Sequence, residues 1–336
     1  MADSGRSDPV VGVIVNPAAG RDIRRLTGGA SVSDNYAKRR TAACVLAGLS
    51  LAREPVRAIV MPDASNLGQR IVDDAEDEAV SLLDMPVSGS AEDTRRAAEA
   101  FSSIADCVVV LGGDGTNRDV ATGIGETPVV SVSTGTNNVV PTPMDGTVAG
   151  GAAGLVAAGA VDRSAVTYQH GTITAEIHGS AGSETVSGLA TMGLLDRPFV
   201  GTRAVLDVSS FVCGVVSRAS PAEIGISGVA GGLETHAPDS AGGIAMEFGD
   251  GGQTIRAMTV PGIVESVSIA RWSRLAPGDP YTVEIDRGVV TADGEREYEV
   301  ADASVSFIIA DDGPRLVDVD AAFGAAAERG LFIDSS

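Results

Sequence analysis

Residues 108–118, with the sequence VVVLGGDGTNR, combine an apolar run with a glycine-rich turn. The run predicts a buried strand, and the glycines let a ligand approach the backbone closely because no Cβ stands in the way. The stretch from 116 to 124 predicts a helix whose first amides point at an anion. Asp114 adds a carboxylate that could deprotonate a hydroxyl or hold Mg²⁺. A tight strand-to-helix turn with an aspartate cap is the alternative that this pattern leaves open.

Two further turns carry asparagine and small residues at the ends of predicted strands. The strand at 10–15 ends in NPAAG (16–20), and the strand at 128–133 ends in STGTNN (133–138). All six asparagines lie before residue 140, and four of them fall in or beside these turns and the glycine turn. Asparagine tolerates left-handed backbone and offers a donor and an acceptor, which suits phosphate or ribose binding, although turn chemistry also favours it.

We name these turns the first loop (16–20), the second loop (112–116) and the third loop (133–138). Ligands of parallel α/β sheets bind outside the carboxyl ends of the strands. We therefore expect the three loops to converge on one crevice.

The apolar pattern also predicts the elements that hold these loops. Over residues 1–160, short apolar runs alternate with helical stretches, which predicts an α/β nucleotide-binding domain with a parallel sheet of about five strands. Over 161–308, alternating strands between Gly, Pro and Asp turns predict a β-rich domain, interpreted as a β-sandwich for substrate binding or oligomerisation. Residues 309–336 are interpreted as a strand end and an amphipathic helix that packs back on the first domain.

The charge of the chain restricts its partners. It has 45 acidic and 24 basic residues, a formal net charge of −21, and Lys38 is its single lysine. This balance argues against binding nucleic acid or an anionic membrane through a broad surface. Such a surface is tolerated where salt screens it, so we expect a halophilic cytoplasm. A genomic preference for arginine explains the missing lysines but not the excess of acid.

Location and redox state follow from other features. No apolar run approaches the roughly 18 residues needed to span a bilayer, and the first residues have no apolar signal-peptide core. Three widely spaced cysteines, Cys44, Cys107 and Cys213, are interpreted as reduced core residues. These features predict a cytoplasmic protein without integral membrane association.

Taken together, the loops resemble those of the NAD kinase and diacylglycerol kinase superfamily. The first loop resembles its first nucleotide loop, and the second matches its GGDGT signature in full. The third is similar to the NTG of NAD kinases and the GTxND of the lipid kinases, and DGE at 293–295 resembles the DGE of the lipid kinases. The string NPAAGRDIRRLTGGASVSDNY, at 16–36, is most similar to the AcoX-type branch, which is associated with acetoin catabolism gene clusters.

The resemblance implies phosphoryl transfer from ATP, with Mg²⁺, to the 2′-hydroxyl of NAD to give NADP. Asp114 is then the catalytic base or a Mg²⁺ ligand, and Glu295 is a second catalytic candidate, although a DGE sequence also suits a hairpin turn. Arg21 and Arg118 are placed to reach phosphate oxygens. The residues expected to bind the nucleotide are Asn16, Gly20, Arg21, Gly112, Gly113, Gly115, Thr116, Asn117, Arg118, Thr134, Gly135, Thr136 and Asn138.

The phosphate acceptor stays open at this stage. NAD kinases carry an Asn-Glu pair that grips the dinucleotide, and this chain has no Asn-Glu dipeptide. Ser133 stands at the asparagine of NTG, and Val139 stands at the aspartate of GTxND. The alternatives are another small alcohol, a lipid head group, or a nucleotide-binding regulator without catalysis. ATP and polyphosphate are both open as donors, and a homo-oligomer is expected.

Overall fold

The computed structural model describes residues 8–19, 34–135, 138–180, 182–196 and 208–333. The chain begins with an α/β domain whose first five strands are parallel. These strands are β1 (Val10–Val15), β2 (Arg57–Val60), β3 (Val80–Leu82), β4 (Cys107–Gly112) and β5 (Val129–Ser133). The helices of this domain are α1 (Asn35–Gly48), α2 (Leu67–Ala75), α3 (Ala91–Ile104), α4 (Asp114–Ala121) and α5 (Gly146–Ala157).

The central strands of this sheet are buried on both faces. Every residue of β1 and β4 is buried, which explains their near-continuous runs of β-branched and other apolar side chains. The strand order is β3-β2-β1-β4-β5, so β1, β4 and β5 are neighbours. The loops that follow these three strands are the first, second and third loops. The sheet therefore brings all three to one edge.

The second half of the chain forms an antiparallel sheet. Its strands are β7 (Thr172–Gly179), β8 (Gly182–Gly188), β9 (Thr191–Leu195), β10 (Phe211–Val216), β11 (Gly243–Val260), β12 (Ile263–Leu275), β13 (Pro280–Ala292) and β14 (Glu295–Ala310), with helix α6 at Ile226–Leu233. Their order is β12-β11-β10-β9-β13-β14-β7-β8. The predicted combination of a parallel α/β domain and a β-rich domain is confirmed. The described strands pair in one continuous sheet, whereas a β-sandwich implies two.

Two short strands connect the second half to the first sheet. Strand β6 (Thr167–Gln169) and strand β15 (Arg315–Val317) pair with each other, and β15 also pairs in parallel with β5. The last helix, α7 (Val319–Glu328), follows β15 and places Ala322 and Ala326 in the core of the α/β domain. The C-terminal segment thus belongs to the first domain, although it follows the second domain in sequence.

Helices α1 and α5 pack with their backbones in contact. A Cβ added at Gly146 would lie 2.4 Å from the carbonyl oxygen of Thr41, and one at Gly150 would lie 2.0 Å from that of Val45. Only glycine permits this separation. The glycines of α5 therefore allow α1 to pack directly against its backbone.

Two other sequence expectations concern the described residues. Among them, no helix is both long and apolar enough to cross a membrane. The cysteines form no disulfide, and burial raises the pKa of the Cys107 and Cys213 thiols to about 12. These two thiols are consequently protonated core side chains at neutral pH.

Candidate functional site

The three loops touch one another at the carboxyl edge of the parallel sheet. The Asn16 side-chain amide donates a 2.9 Å hydrogen bond to the Thr116 hydroxyl oxygen, which joins the first loop to the second. The amide of Thr134 donates to the carbonyl of Gly112 over 3.1 Å, which joins the second to the third. Residues separated by about 100 positions in sequence therefore form one surface.

Asp114 is the first residue of α4 and is almost fully buried. Its carboxylate accepts hydrogen bonds of 2.9–3.0 Å from the amides of Val139 and Val140. Because a buried amide without an acceptor costs free energy, these bonds hold the segment after the third loop against the second. The carboxylate of the aspartate in the glycine turn thus has a structural role.

Asn117 and Asn138 also hold the loops together. The Asn117 side chain donates to the carbonyl of Gly113 over 2.9 Å and accepts from the Ser131 hydroxyl over 2.6 Å. The Asn138 side chain donates to the Ser133 hydroxyl over 2.7 Å, and its oxygen lies 3.4 Å from the amide of Asp114. The sequence assigned both side chains to nucleotide contact, and the structure shows them bonded within the loops.

The glycines of the second loop have different surroundings. A Cβ at Gly112 would lie 2.6 Å from that of Thr116, and one at Gly113 would lie 3.0 Å from the Asn138 side-chain oxygen. A Cβ at Gly115 would have no atom within 4 Å. Packing therefore requires glycine at 112 and leaves little room at 113, while Gly115 borders open space.

The start of α4 offers donors to an anion. No side chain caps this helix, whose N-cap residue is Gly113. Within the described ranges, the amides of Gly115 and Thr116 have no hydrogen-bond acceptor. Uncapped amides at the positive end of a helix favour phosphate. This end of α4 lies beside the first loop, as the Asn16–Thr116 bond shows.

Lys38 is a site residue that the sequence reasoning missed. Its side chain is fully buried, and Nζ donates to the carbonyls of Asn16, Pro17 and Ala19 over 2.9, 3.1 and 2.5 Å. A buried ammonium needs such partners because desolvation of the charge is costly. The signal available in the sequence was its being the single lysine of the chain.

Arg118 points toward the second domain. Its guanidinium donates to the Glu297 carboxylate over 2.8 Å and to the carbonyl of Ala292 over 3.2 Å, and it lies 3.7 Å from the Asp293 carboxylate. Burial opposes its charge, but Asp293 and Glu297 outweigh burial and the pKa of Arg118 is raised. The sequence placed this residue on phosphate; the structure places it in an interdomain ion pair.

The DGE turn divides its roles between two carboxylates. Asp293 adopts a left-handed backbone, with φ of 51°, and its carboxylate accepts hydrogen bonds from the amides of Leu189, Ala190 and Thr191. Glu295 is half-buried, and its carboxylate has no hydrogen-bond partner in the part of the chain that the structure describes. Asp293 therefore fixes the turn through hydrogen bonds that Glu295 does not share with the described residues.

Several predicted site residues cannot be placed. Gly20, Arg21 and Thr136 lie outside the described residues, as does Asn137. Gly135 is described, and its carbonyl accepts from the Ser133 hydroxyl over 3.1 Å. The first loop is thus described over residues 16–19, and the third over residues 133–135 and 138.

Magnesium was expected at Asp114. Among the described residues, no group of three or more His, Cys, Asp or Glu side chains is arranged to hold a metal ion. A magnesium ion that keeps its waters and binds nucleotide phosphates needs only one or two carboxylates from the protein. Such a mode needs no closed protein cage, and the described residues form none.

Family models match both halves of the chain. Residues 11–153 match the ATP-NAD kinase N-terminal domain, and residues 172–312 match the acetoin catabolism protein X C-terminal domain. The chain is also 34% identical over 347 residues to acetoin catabolism protein X of Cupriavidus necator, with 98% of this chain and 95% of that protein covered. The chain belongs to the acetoin catabolism protein X family. The resemblance inferred from the loops is confirmed.

Solved structures share the fold of this family member. Yeast NADH kinase complexed with NADH superposes with a TM-score of 0.53 at 14% identity, covering 99% of this chain and 90% of that one. A putative diacylglycerol kinase from Bacillus anthracis superposes with a TM-score of 0.51 at 12% identity, covering 92% and 97%. At these identities the likeness establishes the fold alone.

Proposed function

We propose that this protein is an ATP-dependent phosphotransferase whose acceptor is the hydroxyl of a small molecule, with NAD as the first acceptor to test. The observation that carries the proposal is the contact among the three loops, with the uncapped start of α4 between them. The family relationship and the kinase fold support it.

The described residues suit phosphoryl transfer, which needs positioning and charge neutralisation more than covalent help. The amides of Gly115 and Thr116 would bind phosphate oxygens, and Asn16 holds the Thr116 hydroxyl beside them. In the reaction the acceptor oxygen attacks the γ-phosphorus, the bond to the β–γ bridging oxygen breaks, and ADP leaves. Asp114 or Glu295 would take the proton of the acceptor hydroxyl. Magnesium supplies charge neutralisation at the phosphates.

A second acceptor class is supported by two observations. The chain has no Asn-Glu dipeptide, the pair that the NAD kinase resemblance associates with dinucleotide binding. The Cupriavidus necator relative is named for acetoin catabolism, and acetoin is a small hydroxyketone. A small alcohol of this kind is therefore the alternative acceptor for the same site.

The acceptor assay uses radiolabelled ATP with Mg²⁺ in molar KCl. NAD, NADH, acetoin and diacylglycerol vesicles are supplied separately, and labelled products are resolved by chromatography. NADP formation supports the leading proposal, and label on acetoin supports the second. ATP binding without transfer to any acceptor supports a regulator and contradicts a kinase. Replacing ATP by polyphosphate tests the donor.

A pair of glycine variants tests whether phosphate approaches the second loop. Gly115→Ala adds a methyl group where the protein leaves open space, so the fold accommodates it. If phosphate approaches this backbone, ATP affinity falls. Gly324→Ala is the matched control because Gly324 lies on α7 and a Cβ there also meets nothing within 4 Å. Equal ATP affinity in the two variants contradicts the proposed donor site.

A further inference from the structure

Lys38 is an exception in the composition of this protein. All 23 other basic residues are arginine, which leaves one lysine among 24 basic side chains. It lies in the first turn of α1, where the helix dipole disfavours a cation. It is also fully buried. Burial of an ammonium removes its hydration, so the protein must supply hydrogen-bond acceptors in place of water.

The compensation comes from the first loop. Three carbonyl oxygens of this loop, from Asn16, Pro17 and Ala19, converge on Nζ. An ammonium directs its three donors tetrahedrally toward such a cluster, whereas a guanidinium presents its donors in one plane. The geometry therefore explains why arginine does not stand at this position.

The first loop is hydrogen bonded both to Lys38 and to the second loop. The backbone of Asn16 accepts from Lys38, and the side chain of Asn16 donates to Thr116 at the start of α4. Asn16 Oδ1 also accepts from the amide of Ala18 over 2.8 Å, which keeps the loop tightly turned. One continuous set of hydrogen bonds thus runs from Lys38 to the uncapped helix end. The buried ammonium is therefore linked to the helix end through a single residue, Asn16.

We propose that Lys38 is a positioning residue for the phosphate donor: it shapes the first loop around its ammonium and places a fixed positive charge behind the nucleotide phosphates. The inference rests on the proposed function, since it assumes that the loops bind a nucleotide. Lys38 acts through the loop and does not itself touch the substrate.

The single lysine makes a direct spectroscopic test possible. Labelling with ¹⁵N-lysine gives one side-chain ammonium signal, whose protons exchange slowly with water because Nζ is buried and hydrogen bonded. Calorimetry first measures whether the wild-type protein binds ATP. ATP, and then pyrophosphate alone, are titrated while the Lys38 signal is followed. We expect both ligands to shift it.

Variants of Lys38 measure its contribution to ATP affinity. Lys38→Met removes the charge, and Lys38→Arg keeps the charge but not the tetrahedral donors. Arg40→Met is the matched control, because Arg40 lies on the exposed side of the same helix. We expect ATP affinity to fall by about tenfold or more in both Lys38 variants, as for the loss of a charged hydrogen-bonding group. Arg40→Met should leave it unchanged.

The outcomes separate this inference from the proposed function. If wild-type protein binds no ATP, the proposed function fails and the inference fails with it. If ATP binds but the Lys38 signal stays in place, the positioning role is overturned while the proposed function stands. The positioning role is overturned in the same way if Lys38→Met binds ATP as tightly as wild type. Should Lys38→Met not fold, the wild-type signal alone decides.

Discussion

Asn16 and Thr116 are 100 residues apart in sequence, and their side chains share a 2.9 Å hydrogen bond. The bond is possible because β1 and β4 are adjacent and parallel, with Val15 opposite Leu111 at their ends. Each strand is followed directly by its loop. The first and second loops are therefore coupled by register and by a side-chain contact, and we expect them to respond to a ligand together.

A double-mutant cycle measures this coupling. Asn16→Ala and Thr116→Val each remove one partner of the bond. Because the bond contributes about 0.5–1.5 kcal/mol, the double variant should lose less stability than the sum of the single variants by a similar amount. Urea unfolding measures stability, and calorimetry should show the same non-additivity in ATP affinity. Strictly additive losses would show that the loops act independently.

Two Asp114 variants separate its structural bond from its proposed chemistry. Asp114→Ala leaves the buried amides of Val139 and Val140 without their acceptor, which should cost about 1–3 kcal/mol in addition to activity. Asp114→Asn retains an oxygen that can accept, so its loss of stability should be smaller. Turnover should fall about 10²–10⁴-fold in both if Asp114 is the base. An Asp114→Asn variant that keeps most of its turnover would assign the base to Glu295 or another group.

The sequence predicted the features that depend on local pattern. Buried strands are visible as apolar runs, and the paired glycines mark a turn, where a Cβ at Gly112 would lie 2.6 Å from that of Thr116. The convergence of the loops followed from a general property of parallel sheets. For this reason the fold and the contact among the three loops were predictable without knowledge of any distant contact.

The features that sequence reasoning missed depend on distant parts of the chain. Arg118 follows the second loop directly, yet its carboxylate partner Glu297 lies 179 positions later. Strand β15 has only three residues and joins β5 after the whole second domain has intervened. Lys38 is hydrophilic, and nothing in the pattern of α1 indicates that a loop will bury it. Local periodicity has no information about such pairings.

The new position of Arg118 leads to a prediction about stability. Arg118→Met removes the cation beside the fully buried Asp293 side chain, which should destabilise the protein by about 2 kcal/mol. Chemical denaturation measures the loss, and a second transition would report separation of the domains. Arg315→Met is the control, because Arg315 pairs with an exposed Glu126 and should have little effect. Lost ATP affinity with unchanged stability would instead restore the phosphate role that the sequence suggested.

His170 predicts a loss of stability in mild acid. Its side chain is fully buried, its Nδ1 lies 2.7 Å from the carbonyl oxygen of Gly171, and burial lowers its pKa to about 4. Because the folded-state pKa lies below the unfolded value of 6.5, the neutral ring stabilises the fold above pH 6.5. That contribution is lost as pH falls toward 4, and it amounts to about 3 kcal/mol.

Denaturant unfolding between pH 4.5 and 7.5 measures this dependence. In His170→Gln the free energy of unfolding should depend less on pH in this range, whatever the effect of the substitution on stability at neutral pH. His178→Gln is the control, since His178 is exposed and bonded to the Ser183 hydroxyl. If both variants retain the wild-type slope, another group titrates and the assignment to His170 is wrong.

The net charge of −21 predicts that salt stabilises the folded chain. Repulsion among surface carboxylates acts over the Debye length, which falls from about 10 Å at 0.1 M salt to about 3 Å at 1 M. Screening should therefore raise the melting temperature between 0.1 and 2 M KCl, and a gain of about 2 kcal/mol would appear as about 3 °C in a chain of 336 residues. Sucrose at matched water activity is the control, because it favours compact states without screening charge. A melting temperature that rises equally in sucrose and KCl, or in neither, would remove the argument for adaptation to a saline cytoplasm.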